Sequence, residues 1–411
     1  MPDDPGSKRP TLLVLASTYP RWSGDHEPGF VHELAKRLTD HFKVIAVVPS
    51  APGATARETL DGVEVIRYRY APRRFETLVN DGGIVTNLRR HRWKMLLVPT
   101  FVWAQAWRTW RLLRTRQIDV IHAHWLLPQG LIAALLGKLS GRAPPFLVTA
   151  HGADLFALRG KVFSQLKRFV VQKASAVTVV SEAMRDELKR MGADVGKVGV
   201  QSMGVDLEGR FTPGPTAQRS SDEILFVGRL VEKKGLRYLI DAMPTVLTAH
   251  PSSHLTVVGF GPEQAERLAQ VRQLGLQAKI RFVGALSQSE LPALYRRAAV
   301  FVAPFVQASS GDQEGLGLTP VEAAGCACPV VVSDLPAVRE VFDEDQAVLV
   351  TPGSAAAIGR AVIALLSEPP FPIGTARTRA SLCRKFDWQS VAESYARALG
   401  KLVRQITHGG K

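Results

Sequence analysis

Cysteine is scarce in this chain: there are three in 411 residues, Cys326, Cys328 and Cys383. They form no ladder of pairs and no zinc spacing. That excludes a disulfide-stapled secreted scaffold and fits a reducing, cytoplasmic setting. Cys326 and Cys328 fall in a small-residue apolar stretch and read as core. Long apolar runs are missing too, each being cut by Arg, Lys or Pro before it reaches the ~20 residues that span a bilayer. The opening MPDDPGSKRP is polar and proline-rich and leads straight into a strand, so it lacks the pattern of a secretory signal. No short-period repeat is present, and no Asp-x-Asp pair follows a strand where it would hold a metal.

Acid is lacking in one stretch. Residues 67–116 hold twelve Arg and Lys against Glu76 and Asp81, so +10 of the chain's +15 sits there. Such a field favours anionic partners: phosphates, acidic lipids or nucleic acid. No nucleic-acid-binding module accompanies it, so no nucleic-acid partner is expected. Within the stretch, 89–116 reads RRHRWKMLLVPTFVWAQAWRTWRLLRTR and carries four of the seven tryptophans. Apolar residues recur at helical spacing from Phe101, with Pro99 expected to break the segment. An interfacial helix combines these residue types, which would place the protein at the inner face of a membrane as a peripheral partner of anionic lipid. A core-packing helix edged with Arg explains them equally well.

The composition is otherwise that of a globular protein, 46% hydrophobic and 22% charged, long enough for two or three cores. Short β-branched runs alternate with helical patterns. Strands are expected at 11–16, 43–48, 119–122, 146–150 and 176–180, and again at 224–228, 255–258, 280–283, 300–303, 330–332 and 347–350. Helices fall between them, and a long one runs from Trp388. Between the two series, residues 203–223 are rich in turn residues and prolines, as a linker is. The chain therefore reads as two open α/β domains with parallel sheets. The expected division is 1–205, 206–387 and a terminal helix over 388–411. Ligands of such sheets bind at the carboxyl ends of the strands, which makes a cleft between the domains the default site.

Five stretches sit where strands end. GRLVEKKG (228–235) puts Arg229 and Lys234 beside a helix start, suited to a diphosphate, or simply a solvated charge cluster. VVGFGPE (257–263) brings Gly259 and Gly261, a weak signal, since many such turns need glycine. TAHGADL (149–155) brings His151, able to bond a sugar hydroxyl or phosphate, or else a structural histidine. HAHW (122–125) carries the same ambiguity, with His122 inside the strand and His124 nearer its rim. The polar loop STYPRWSGDHEPGF (17–30) follows the first strand.

A sixth, DQEGLGLTPVEAAG (312–325), sets Glu314 and Glu322 with seven residues between them, among these Gly315 and Gly317. Its plain reading is a helix start with Thr319 as N-cap, Pro320 at the first position and Glu322 at the third.

Together these stretches resemble the retaining, nucleotide-sugar-dependent glycosyltransferases of family 4, the group 1 glycosyltransferases, over nearly the full length. The resemblance implies the GT-B fold: two Rossmann-like domains facing across a cleft, with the terminal helix crossing back to the N-terminal, acceptor-binding domain. It implies transfer of a hexose-type sugar from a UDP- or GDP-linked donor to a sugar, lipid-linked or small-molecule hydroxyl, with no cofactor and no metal. By resemblance, Glu314 and Glu322 are the E-x7-E pair. Glu322 holds the donor ribose and Glu314 lies by the donor sugar, with Gly315, Leu316 and Gly317 offering backbone amides. Arg229 and Lys234 neutralise the diphosphate, and His151 stands near the reacting sugar. Gly261 belongs to the donor site, and Val283 and Gly284 receive the base. Gly24, Asp25 and His26 form the acceptor and phosphate loop.

Two departures stand out: Met203-Gly204-Val205-Asp206 where the family often has Asn first, and Gly24 followed by Asp25 where it often has a second glycine. The alternatives are a retaining phosphorylase or sugar-nucleotide epimerase, or a sugar-nucleotide or nucleic-acid binding protein without turnover.

Overall fold

The computed structural model describes residues 9–23, 25, 29–79, 83–139, 144–214, 219–343, 345–367 and 376–409. They form two compact units. One takes residues up to Val180, Met184–Met203 and the chain from Val391; the other takes Ser181–Ala183 and Gly204–Ser390.

The first unit is built on eight strands: β1 (Thr11–Leu15), β2 (Lys43–Pro49), β3 (Arg57–Leu60), β4 (Val63–Tyr68), β5 (Val120–His124), β6 (Phe146–Ala150), β7 (Ala176–Val179) and β8 (Val198–Val200). Their order across the sheet is β3-β4-β2-β1-β5-β6-β7-β8. All neighbours are parallel except the β3–β4 pair. β5 and β6 are buried along their whole length, as strands covered on both faces by helices must be.

The second unit has six parallel strands: β9 (Glu223–Val227), β10 (His254–Val258), β11 (Ile280–Gly284), β12 (Val300–Ala303), β13 (Val330–Ser333) and β14 (Val348–Val350). Their order is β11-β10-β9-β12-β13-β14. Helices Leu236–Ala249 and Ala355–Ser367 close one side of it, burying Leu239, Met243, Ile358 and Val362 against Ile224, Phe226 and Val302.

Sheet order decides where ligands can enter. In a doubly wound sheet the loops part where strand order reverses. That point lies between β1 and β5 in the first unit and between β9 and β12 in the second. The loops after β9 and β12 are those carrying Lys234 and Glu314.

Three strands escape the sequence reading. β3 is polar and exposed on alternate residues (RETL), so it lacks an apolar face, yet it and β4 flank Asp61-Gly62, a strong two-residue hairpin signal. Asp61 and Gly62 both take positive φ, 48° and 81°. β8 has only three residues. The helices Gly83–Arg90 and Ala376–Phe386 were also not expected.

Pro99 does not break its segment. The helix runs Leu97–Thr115, and Pro99 sits in its first turn, where a missing N–H costs nothing. Phe101, Ala104, Gln105, Thr109 and Leu112 form its buried face.

Apart from the short excursion at Ser181–Ala183, the chain passes between units at Met203–Gly204 and at Ser390–Val391. At the crossing the Val205 N–H donates to the Phe386 carbonyl, and the Trp388 N–H donates to that of Val205. A Cβ on Gly204 would lie 2.4 Å from the Trp388 ring, so glycine is required there. Met203, where the resemblance often puts Asn, is buried. In the first unit, the last helix bonds Ser394 Oγ to Gln201 Oε1 at 2.6 Å, and Tyr395 lies against His122 with ring centres 5.4 Å apart.

Candidate active site

In the second unit two loops separated by about eighty residues are stitched together. After β9 the chain turns through Arg229 into the short 3-10 turn Glu232–Lys234, then enters helix Leu236–Ala249 at Gly235. After β12 it runs past Phe305 to Glu314. The Val306 N–H donates to the Lys233 carbonyl. Glu232 accepts from the Ser309 N–H and hydroxyl at 2.7 and 2.9 Å. Lys233 pairs with Asp312 at 3.3 Å.

Gly235 makes the approach possible. Its φ is +68°, and a Cβ there would sit 1.7 Å from the Pro304 carbonyl oxygen. Gly275 has the same φ of +68° with nothing within 4 Å. Gly275→Ala should therefore cost about 1 kcal/mol, the conformational penalty alone, and Gly235→Ala about 3 kcal/mol or more. Chemical denaturation of both variants measures the difference; equal losses would mean the two loops are free to part.

Within this frame Lys234 Nζ stands 2.8 Å from Glu314 Oε2 and 4.7 Å from the centre of the Phe305 ring. The contact is an ion pair whose angle leaves Oε2 without a well-formed hydrogen bond. Burial alone would push the Glu314 carboxyl up. Lys234 and Lys233, with the Gly315 N–H, outweigh it and bring it down to about 2. Arg229 lies half-buried in the same loop.

Glu322 is different. It is buried, 7% exposed, and its Oε2 accepts from the Tyr295 hydroxyl at 2.8 Å. Burial raises its carboxyl to about 7, against the lowering effect of Tyr295 and Lys234.

The capping-box reading of this stretch does not hold. The helix spans Leu318–Gly325 and its N-cap is Gly317, at φ +79° with no side-chain cap. Thr319 is thus inside the first turn, and its buried hydroxyl finds no hydrogen-bond partner among the described residues. Glu322 is too far along to reach back to the helix start, and it bonds Tyr295 instead. Gly315, Leu316 and Gly317 are buried rather than laid open. A Cβ on Gly317 would meet the Phe305 ring at 2.6 Å.

The remaining second-unit residues lie on the same strand ends. The missing side chain of Gly261 leaves room for the chain's own backbone, since a Cβ there would be 2.4 Å from the Leu230 carbonyl oxygen. Val283 is exposed on edge strand β11, and Gly284 ends that strand at φ +86° with its carbonyl accepting from the Gly259 N–H.

In the first unit, His151 follows β6, and its Nε2 is 3.0 Å from His124 Nδ1 with the two rings stacked. Phe30 and Trp125 pack on His151. Desolvation, with a lesser push from His122, takes His151 down to about 3 and leaves it neutral. His122 is buried in β5 with Nε2 at 2.8 Å from the Thr149 hydroxyl; His124, expected nearer the rim, is equally buried. Buried Asp154 ties the loops after β5 and β6 by accepting from the Leu126 and His151 N–H groups at 2.7 and 3.2 Å. In the opening loop, Asp25 is taken up by Arg21, which donates to it at 2.8 and 2.6 Å, so it serves the loop's own shape. Gly24 and His26 lie outside the described residues.

Sequence reasoning missed Tyr295, Phe305 and Asp154, and gave Thr319 the wrong place in its helix. Of the three missed, only Asp154, three residues after His151 in a stretch already singled out, left a local trace. Tyr295 lies 27 residues from Glu322 with no motif joining them.

Two α/β units, each on a largely or wholly parallel sheet, with a basic loop meeting an acidic one at the switch point of the second, have the architecture of the GT-B fold. Solved structures share this fold. Sucrose-phosphate synthase from Thermosynechococcus elongatus superposes with a TM-score of 0.77 at 21% identity, covering 98% of this chain and 100% of that one. Anabaena HepE in complex with UDP and glucose gives 0.71 at 18% identity, covering 95% and 99%.

Residues 30–208 match the family model Glycosyltransferase Family 4, and 215–380 match Glycosyl transferases group 1. The chain is 29% identical to a glycogen synthase of Mycobacterium tuberculosis over 391 residues, 89% of this chain and 88% of that protein. It is 30% identical to a phosphatidyl-myo-inositol mannosyltransferase of Mycobacterium leprae over 295 residues, 71% and 75% of the two. The chain belongs to the group 1 glycosyltransferases of family 4.

Proposed function

We propose that this glycosyltransferase moves a hexose from a nucleoside-diphosphate sugar to an acceptor hydroxyl with retention of anomeric configuration and without a metal. The observation that carries the reading is the meeting of Lys234 and Glu314, with Glu322 buried in the helix that follows. Lys234 and Arg229 meet the charge that builds on the diphosphate as the sugar C1–O bond breaks, an electrostatic effect of the kind that dominates many catalysed steps. The Thr319 hydroxyl, without a partner among the described residues and in the first turn of the helix that follows Glu314, offers a further donor. Glu322 bonds the donor ribose, and Glu314 orients the sugar. The acceptor oxygen attacks C1 from the face the diphosphate leaves, and its proton passes to a diphosphate oxygen. His151, kept neutral, offers the sugar a hydrogen-bonding ring nitrogen rather than a charge.

The donor is UDP- or GDP-linked. HepE is in complex with UDP and glucose, the glycogen synthase is named for a glycogen product, and the mannosyltransferase for phosphatidyl-myo-inositol. These support a nucleotide-sugar donor and a sugar or lipid-linked acceptor.

The test is a panel of nucleotide sugars, each assayed by thermal shift and by nucleoside-diphosphate release, with NMR of the product anomer and a chelator control. One donor should raise the melting temperature and release diphosphate at an unchanged rate in chelator, giving a product of the donor's anomeric configuration. Inverted product, or a rate abolished by chelator and restored by a divalent cation, overturns the mechanism. Sugar phosphate formed only with inorganic phosphate would favour the phosphorylase alternative.

A further inference from the structure

Helix Leu97–Thr115 buries one face, as described, yet its opposite face is also apolar. Pro99, Trp103 and Trp107 follow each other at intervals of four and Trp110 adds a fourth position, so all lie on one stripe about half a turn from Phe101 and Leu112. Trp103 is 66% exposed and Trp107 51%. They stack with each other, ring centres 6.0 Å apart at 8°, and Trp107 stacks on Trp110 at 4.9 Å. Just before the helix, Leu96 is 78% exposed and Met95 and Trp93 are exposed too. Five of the twelve exposed large apolar residues found among the described residues thus fall within positions 93–107. Scattered surface apolar residues need no explanation, but a contiguous patch of this kind marks a contact surface.

The charge around the patch says what kind. From Asp81 to Asp119 the sequence has seven arginines and one lysine and no acidic residue between. Lys94 is turned inward, donating to the Thr77 carbonyl and Asn87 Oδ1, and Arg116 pairs with Glu64. Arg90, Arg92, Arg111 and Arg114 are exposed, and Arg114 lies 5.8 Å over the Trp110 ring. A partner must therefore bring apolar depth and dense negative charge, with no need for cations of its own. An anionic bilayer surface does so: indole rings seat at the headgroup level and arginines meet the phosphates. Among the described residues no helix is long and apolar enough to cross a membrane, so the contact is with the surface.

We propose that the Trp103–Trp107–Trp110 stripe, with Leu96 and the exposed arginines around it, is a membrane-docking face for anionic lipid. It belongs to the first unit, not the second that carries Lys234 and Glu314, and does not depend on which sugar is transferred.

The full chain would be sedimented with vesicles of phosphatidylcholine alone and of phosphatidylcholine mixed with phosphatidylglycerol, at low and physiological salt, while tryptophan fluorescence is followed. Binding is expected to the anionic vesicles only, with a blue shift, and to weaken as salt rises. Trp103→Ser with Trp107→Ser should weaken it about tenfold or more, and Arg111→Glu with Arg114→Glu likewise. All four positions are solvent-exposed, and the two variants share no residue, so misfolding of one leaves the other as a test. The proposal is overturned if no anionic vesicle binds at low salt, or if both folded double variants bind as the parent does. It is also overturned if the parent instead self-associates in analytical ultracentrifugation through these tryptophans and ignores vesicles; the face would then belong to a second copy of the chain.

Discussion

Lys234→Ala is expected to lower turnover by about 10²–10³-fold, the scale of removing one preorganised charge from a developing anion. It should also destabilise the chain, because the cation has two tasks. In the free protein it neutralises Glu314, and both side chains are largely buried, 14% and 17% exposed. Glu314 sits at about 2 in the folded state against its usual 4.5, so its ionised form is stabilised by folding. That contribution, about 3 kcal/mol at most, is fully present above about pH 4.5 and lost as pH falls towards 2. Urea unfolding of parent and Lys234→Ala should therefore differ most near neutrality and converge in acid. Adding Glu314→Gln to Lys234→Ala removes the stranded carboxylate and should restore much of the stability while leaving turnover low. Arg229→Ala should also cost turnover by orders of magnitude with the fold surviving. Near-parental activity in both single variants would end the diphosphate assignment.

Glu322→Gln should have the opposite signature: a more stable protein that binds donor less well. The parent carboxyl is raised from 4.5 to about 7 by burial, so between those values the folded chain keeps a proton that the unfolded chain has released. Stability is then highest below about pH 4.5, declines as pH rises, and levels off above about 7. The amide does not titrate and can still accept from Tyr295. The variant should gain about 3 kcal/mol over the parent at pH 8 and almost nothing at pH 4. Calorimetry with the donor should show weaker binding. A gain in stability with unchanged donor affinity would reduce Glu322 to a strained core residue, and a loss of stability at pH 8 would contradict its buried, proton-hungry state. A group held at a stability cost beside a ligand site is what function, more than folding, maintains.

Much of this molecule is legible from its residues, for reasons that differ by feature. Short β-branched runs announce eleven of the fourteen strands found among the described residues. The polar hairpin strand β3 does not, because one face meets water and its signal lies in the Asp61-Gly62 turn. Glu314, Glu322, Arg229 and Lys234 were visible because their spacing and place after strands are local properties. That Lys234 would lie on Glu314, or that Tyr295 would hold Glu322, was not: the first contact joins loops that meet only when β12 pairs with β9, and the second joins the helices before and after β12, which meet only when both pack on the sheet. The helix at 318–325 shows the limit within a single motif. Thr319 and Pro320 are good starting residues, but Gly317 takes the left-handed turn against Phe305 and the helix begins there.

The sequence by itself determined the class of fold, the residues that bear charge and the order in which they leave their strands, because hydrophobic period and motif spacing are properties of short segments. The tertiary structure alone decided the state of those groups. It made one glutamate a strong acid beside Lys234 and the other a weak one against Tyr295, and it turned one face of a tryptophan-rich helix inward and the other out. Burial and through-space charge set those outcomes, and neither exists until distant parts of the chain are packed together.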